Sequence, residues 1–231
     1  MLKNLVRSTA LVGLLLGAVQ AADIEVKIIN NTGASAFTPL LVATHASSTS
    51  VFETGMPASA SLQAMAEGGN IEHLSADLSS AGAMVVENPA AGLLGAGAST
   101  VAQISTDASN DSLSIVAMIL PTNDGFIALN NWKVPTEPGV YKVQLNAYDA
   151  GTEANDEIIN GAGAPGDAGI PADPGGNAGT GGTGIAATIE GFVHIHRGVL
   201  GDQNATGGVS DLDSSKHRWL NPIATAVITV K

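Results

Sequence analysis

The stretch from Ser112 to Leu120 constrains this chain more than any other. Leu113, Ile115, Ala117 and Ile119 fall on one face of an extended segment, Val116, Met118 and Leu120 fill most of the other, and Pro121 ends it. A strand that is apolar on both faces has to be covered on both, which predicts a central strand of a sheet.

Other segments carry the same period of two. Asp23 to Asn30 alternates Ile24, Val26 and Ile28 with Glu25 and Lys27 and stops at the turn cluster Asn30-Asn31-Thr32-Gly33. Phe37 to Thr44 is a more continuous apolar run that ends at His45. Thr100 to Thr106, Phe126 to Leu129, Val140 to Ala147, Ile189 to Arg197 and Pro222 to Val230 read as further strands. Pro57 to Glu67 has helix formers, Pro near its start and Gly68-Gly69 beyond its end, the signals of one short helix. Leu74 to Val86 fits neither period cleanly. Seven or eight short strands with about one helix predict an all-β fold, an antiparallel β-sandwich. Asn160 to Gly184 is Gly-rich with no apolar periodicity, and apolar burial there is too small to offset ordering entropy, so a long mobile insertion is expected at about 160–184.

Residues 1–21 read as a secretory signal peptide: Lys3 and Arg7 precede the apolar run Ala10 to Val19, and Val19-Gln20-Ala21 is a small-residue cleavage site. The run is shorter than the ~20 residues a membrane span needs, and no later stretch is longer. The expected product is a single exported domain, residues 22–231, either secreted or held in the periplasm or at the cell surface. Losing the two positive charges of Lys3 and Arg7 takes the formal charge from −12 to −14, which argues against nucleic acid and anionic membranes as partners. Cysteine is absent, so neither disulfides nor thiolate metal sites can brace the exported fold. A bound metal is an alternative brace, because a ligand that binds only the folded state stabilises it.

Two strand-end loops carry acidic groups. One is Asn123-Asp124, after the central strand. The other follows the strand ending at Ala147, where Asp149, Glu153, Asn155 and Asp156 place four oxygen-bearing side chains within eight positions and Gly151 is free to adopt a positive φ. Closely spaced hard oxygens suit Ca²⁺, which takes roughly 6–8 such ligands; a solvated acidic turn is the alternative reading. His194 and His196 stand two apart on an expected strand and so share a face, which offers two imidazoles to one transition metal, with His45 or His217 as a third ligand; histidines that only hydrogen-bond within sheet or loops are the plainer reading. Catalytic signatures are missing: there is no Gly-x-Ser-x-Gly elbow, and the Gly-rich segment lacks the Lys-Ser/Thr ending of a phosphate loop.

Pro121-Thr122-Asn123-Asp124-Gly125-Phe126 together with Tyr148-Asp149-Ala150-Gly151-Thr152-Glu153 resembles the paired loops of the spondin N-terminal (F-spondin-type) domain family. Phe37-Thr38-Pro39-Leu40, Phe52-Glu53-Thr54-Gly55, Gly191 to His196 and Trp219-Leu220-Asn221-Pro222 resemble that family's bacterial secreted members, so the likeness spans nearly the whole mature chain. It implies a C2-like β-sandwich holding Ca²⁺ at one end through Asp124, Asp149 and Glu153. The last position is aspartate in animal members, and the longer carboxylate brings Asn123, Asn155 and Asp156 in as further candidates. The expected function is a non-enzymatic calcium-binding module for cell-surface or matrix interaction, with an unidentified extracellular protein or polysaccharide as partner. The alternative is a redox or hydrolytic metalloenzyme on His194 and His196.

Overall fold

The computed structural model describes residues 21–176 and 178–231, so the expected signal peptide lies outside the described residues but for Ala21. The elements are β1 (Ala22–Asn30), β2 (Ala36–Phe37), β3 (Leu41–His45), α1 (Ala60–Gly68), α2 (Glu72–Ser80), β4 (Met84–Glu87), β5 (Ser99–Thr106), β6 (Ser112–Leu120), β7 (Gly125–Lys133), β8 (Gly139–Asp149), β9 (His194–Ile195) and β10 (Ala224–Val230). They form one ten-stranded sheet in the order β4-β3-β6-β7-β8-β10-β1-β5, with β2 attached to β6 and β9 to β8. Every pairing between them is antiparallel. The two ends of the sheet curl toward each other. The Thr44 hydroxyl of β3 donates to the Ser105 carbonyl of β5 (2.7 Å), and Thr100 of β5 donates to the Pro89 carbonyl just past β4 (2.8 Å). The result is nearly closed and barrel-like, which leaves little free edge for pairing with other chains.

The strand expected to be central is buried along its whole length. Leu113, Ile115, Ala117 and Ile119 point into the curled sheet, against Ile24, Val26 and Ile28 of β1 and Ala226 and Ile228 of β10. Val116, Met118 and Leu120 point outward and are covered by Leu62 and Met65 of α1 and Leu74 and Leu78 of α2. Ile115 has no exposed surface, so Ile115→Ala costs about 2–5 kcal/mol. The first helix is set by its caps: Ser59 accepts from the Leu62 N–H, and Gly69, at φ 69°, turns the chain while its N–H returns to Met65.

The element count corrects the sequence reading of seven or eight strands and one helix. The ambiguous stretch Leu74 to Val86 holds most of a second helix, then Gly82 and a strand. Ile189 to Arg197, read as a strand, pairs only at His194 and Ile195. The described residues of 160–184 form neither helix nor named strand, but four of their backbone N–H groups end on carboxylates from outside the segment. Glu67 accepts from Gly166 (2.6 Å), Glu153 from Gly169 (3.0 Å), and Asp211 from Thr180 (2.7 Å) and Gly182 (2.8 Å). Counting apolar surface alone misses these polar anchors. No helix among the described residues is long and apolar enough to cross a membrane.

Candidate functional site

Three neighbouring strands bring the candidate residues to one end of the sheet. Gly125 at the start of β7 pairs with Asp149 at the end of β8, and Asp149 pairs with His194 of β9. The β6–β7 loop is shaped by Thr122, whose hydroxyl donates to the Ile119 carbonyl (2.6 Å) and accepts from the Gly125 N–H (3.0 Å). Beyond β8, Gly151 takes φ +66°, and a Cβ there would lie 2.4 Å from the Phe192 carbonyl oxygen. Only glycine fits, and the resulting close approach draws residues 190–194 against the loop that begins at Asp149.

Each of two buried carboxylates has one satisfied and one unsatisfied oxygen. Asp124 is fully buried; its Oδ2 accepts from the backbone N–H groups of Thr152 (2.7 Å) and Glu153 (3.1 Å) and from the Thr152 hydroxyl (3.2 Å), while Oδ1 has no partner among the described residues. Burial, and after it the charge of Asp149, push its pKa up to about 7. Glu153 directs Oε2 to the Gly169 N–H (3.0 Å) and to Asn123 Nδ2 (3.4 Å), leaving Oε1 buried without a partner. Burial pushes its pKa up to about 7 as well, against the pull of the Gly169 N–H. Asp149 accepts from Gly151 N–H (2.8 Å) through Oδ1 and from Asn155 Nδ2 (2.8 Å) through Oδ2.

The secondary candidates act as latches between loops. Asn123 accepts from the Glu157 N–H (3.2 Å) and donates to Asp156 Oδ1 (2.8 Å), and Asp156 also accepts from Ile158. Asn155 donates to Asp149 and to Glu190 Oε1 (3.4 Å).

The two imidazoles line one cavity of about 320 Å³, shared with Asp149, Asn155 and Glu190, but they present opposite chemistry. Nδ1 of His194 lies 3.0 Å from the Ile195 carbonyl, which can only accept, so Nδ1 carries a proton and in the neutral ring Nε2 offers the lone pair. Nδ1 of His196 accepts from the Gly198 N–H (3.0 Å), so its proton is on Nε2, buried without a partner. Burial pushes the His196 pKa down to about 4, which keeps the ring neutral. Ligation through both Nε2 atoms would require stripping that proton from His196. The third ligands expected from sequence lie elsewhere: His45 bonds the Ser114 hydroxyl (2.7 Å), and His217 faces Asp173 (3.8 Å) in a separate cavity. In their place stand Asp149 Oδ1, 3.6 Å from His194 Nε2, and Glu190 Oε1, 4.0 Å from it. Glu190 carried no signal in the sequence, because its approach depends on the Gly151–Phe192 contact.

Compared with known families, residues 30–158 match the model of the spondin N-terminal domain, Spondin_N. That span is more than half of the 231-residue chain. It contains Asp124, Asp149 and Glu153 and excludes Glu190, His194 and His196. No curated protein matches the chain.

Proposed function

The chain belongs to the spondin N-terminal domain family, and from that premise we propose that it is an exported, non-enzymatic, calcium-binding module of C2-like sandwich type, used for interaction at a cell surface or in a matrix. The observation that carries the calcium reading is the pair of buried, unpartnered oxygens, Asp124 Oδ1 and Glu153 Oε1. A buried polar atom without a partner costs about 1–3 kcal/mol, more when charged, and the nearby Asp149 carboxylate adds repulsion. A cation reverses the sign of both effects. Calcium suits the site because its ligands are all oxygens and it tolerates irregular geometry, whereas magnesium demands a near-ideal octahedron. Asp124, Asp149 and Glu153 would hold the ion, with carbonyls and water filling the remaining positions.

Thermal melting in calcium and in chelator tests the reading. Extracellular calcium modules bind with dissociation constants of roughly 10⁻⁴–10⁻³ M, and calcium at ten times that constant adds about 1.4 kcal/mol. For a chain of this length the gain corresponds to a rise of about 3–6 °C. Loss of that rise on chelation supports the reading; a melting temperature indifferent to both calcium and chelator contradicts it. The acidic surface left by a pI near 4.5 favours a partner that is not itself strongly anionic. The second reading, a metalloenzyme on His194 and His196, has in its favour that both rings line one cavity, and against it the proton on His196 Nε2.

A further inference from the structure

We propose that Asp149, Glu190 and His194 form a second cation site, one that takes a divalent transition metal of the zinc class rather than calcium. One ligand atom from each of the three residues lies within 4.8 Å of the others. Tetrahedral zinc, with bonds of about 2.0–2.1 Å, sets its ligands about 3.3 Å apart. The His194–Asp149 edge, at 3.6 Å, and the His194–Glu190 edge, at 4.0 Å, therefore close on a metal by less than about 1 Å each.

The surroundings prepare these atoms for ligation. Donation from His194 Nδ1 to the Ile195 carbonyl is the outer contact that fixes a ligating imidazole and leaves its Nε2 lone pair forward. That Nε2 atom is buried and has no hydrogen-bond partner. Asn155 bridges the two carboxylates, donating to Asp149 Oδ2 and Glu190 Oε1, so one amide orients both acidic ligands. Two carboxylates and a neutral imidazole sum to the charge that a divalent ion cancels. An imidazole nitrogen among three ligands selects for zinc, copper or nickel over calcium, which is bound by oxygens. The fourth position faces the cavity, whose wall includes the unpartnered Nε2–H of His196, a donor suited to a water or anion on the metal. His196 thus lines the site without ligating.

The two cation sites share Asp149 alone, so substitutions separate them. Zinc is titrated by calorimetry into untagged, metal-stripped, chelator-free protein and into four variants, each first shown by metal-free melting to be folded. One zinc per chain is expected. His194→Ala and Glu190→Gln should each weaken zinc by at least about tenfold and leave the calcium response unchanged, and Asp149→Asn should weaken both metals. Asp124→Asn should abolish the calcium response while leaving zinc affinity within about twofold. Cobalt(II) provides a second readout: its visible ligand-field bands should appear with the unmodified protein and vanish with His194→Ala. Glu190 is exposed, so Glu190→Gln keeps the test open even if His194→Ala fails to fold. Absence of stoichiometric zinc, or zinc affinity unaltered by Glu190→Gln, overturns the proposal; loss of the calcium response alone bears only on the calcium site.

Discussion

Asp124 grips the backbone of Glu153, its Oδ2 accepting the Glu153 N–H at 3.1 Å, while the second oxygen of each carboxylate stays buried and unpartnered. The bond fixes the β6–β7 loop to the loop after β8, so two residues 29 positions apart are held side by side. Acidic groups gather here: burial first, then the charges of Glu67 and Asp124, push the Glu153 pKa upward. The fold spends stability to hold these groups in place, and a cation bound between them would restore it.

Asp124→Asn keeps an amide oxygen to accept from Thr152 and Glu153 while removing the charge. Metal-free stability is expected to change by no more than about 1 kcal/mol, and the calcium-induced rise in melting temperature to disappear. Urea unfolding with and without calcium measures both.

The metal-free protein should lose stability as the pH rises. Asp124 and Glu153 have folded-state pKa values near 7, above their unfolded values, so between about pH 4 and pH 7 the folded state binds more protons than the unfolded one. Their contribution is complete below the unfolded pKa and is lost as the pH passes through the folded one. His196, held near 4 by burial, works in the opposite direction over this range, but the two carboxylates outweigh it, so melting in chelator should give a higher midpoint at about pH 5 than at about pH 8, and calcium should flatten the difference. Asp124→Asn, which removes one of the two groups, should shrink the slope.

The sequence and the structure agree where a pattern is local. Ile115 and Val116 announced a strand covered on both faces, and β6 is that strand. Leu74 and Leu78 have helical spacing, but Met84, Val85 and Val86 follow so closely that the two periods overlap, and only the turn at Gly82 separates them in space. Ile189 to Arg197 alternates like a strand, yet Gly191 bonds to the Gly151 carbonyl instead of a sheet neighbour. The acidic loops could be picked out as a pair, because Asp124 and Asp149 each sit at a strand end. Glu190 could not, because its place depends on a backbone contact 39 residues away, between Gly151 and Gly191 and Phe192.

Gly151→Ala tests that contact. The added Cβ would lie 2.4 Å from the Phe192 carbonyl at a positive φ, a strain of about 1–3 kcal/mol. Chemical denaturation should show a loss of that size, and zinc affinity should fall because Glu190 and His194 move away from Asp149.

Glu67→Ala tests how the Gly-rich segment is held. Glu67 has no exposed surface and accepts the Gly166 N–H at 2.6 Å. Its removal costs a charge-assisted hydrogen bond of about 1.5–3 kcal/mol. Amide exchange around residues 163–170 should accelerate, while exchange in β6 relative to the global stability stays unchanged.

Calcium titration by calorimetry into the unsubstituted protein and into Asp124→Asn, Asp149→Asn, Glu153→Gln and His194→Ala bears most directly on the central claim that two loops form one calcium site. One calcium per chain is expected, with affinity reduced at least about tenfold by each aspartate substitution, less by Glu153→Gln if Asn155 or Asp156 takes its role, and not at all by His194→Ala. Calcium affinity left intact by both aspartate substitutions would show that Asp124 and Asp149 do not share an ion, and the claim would fail.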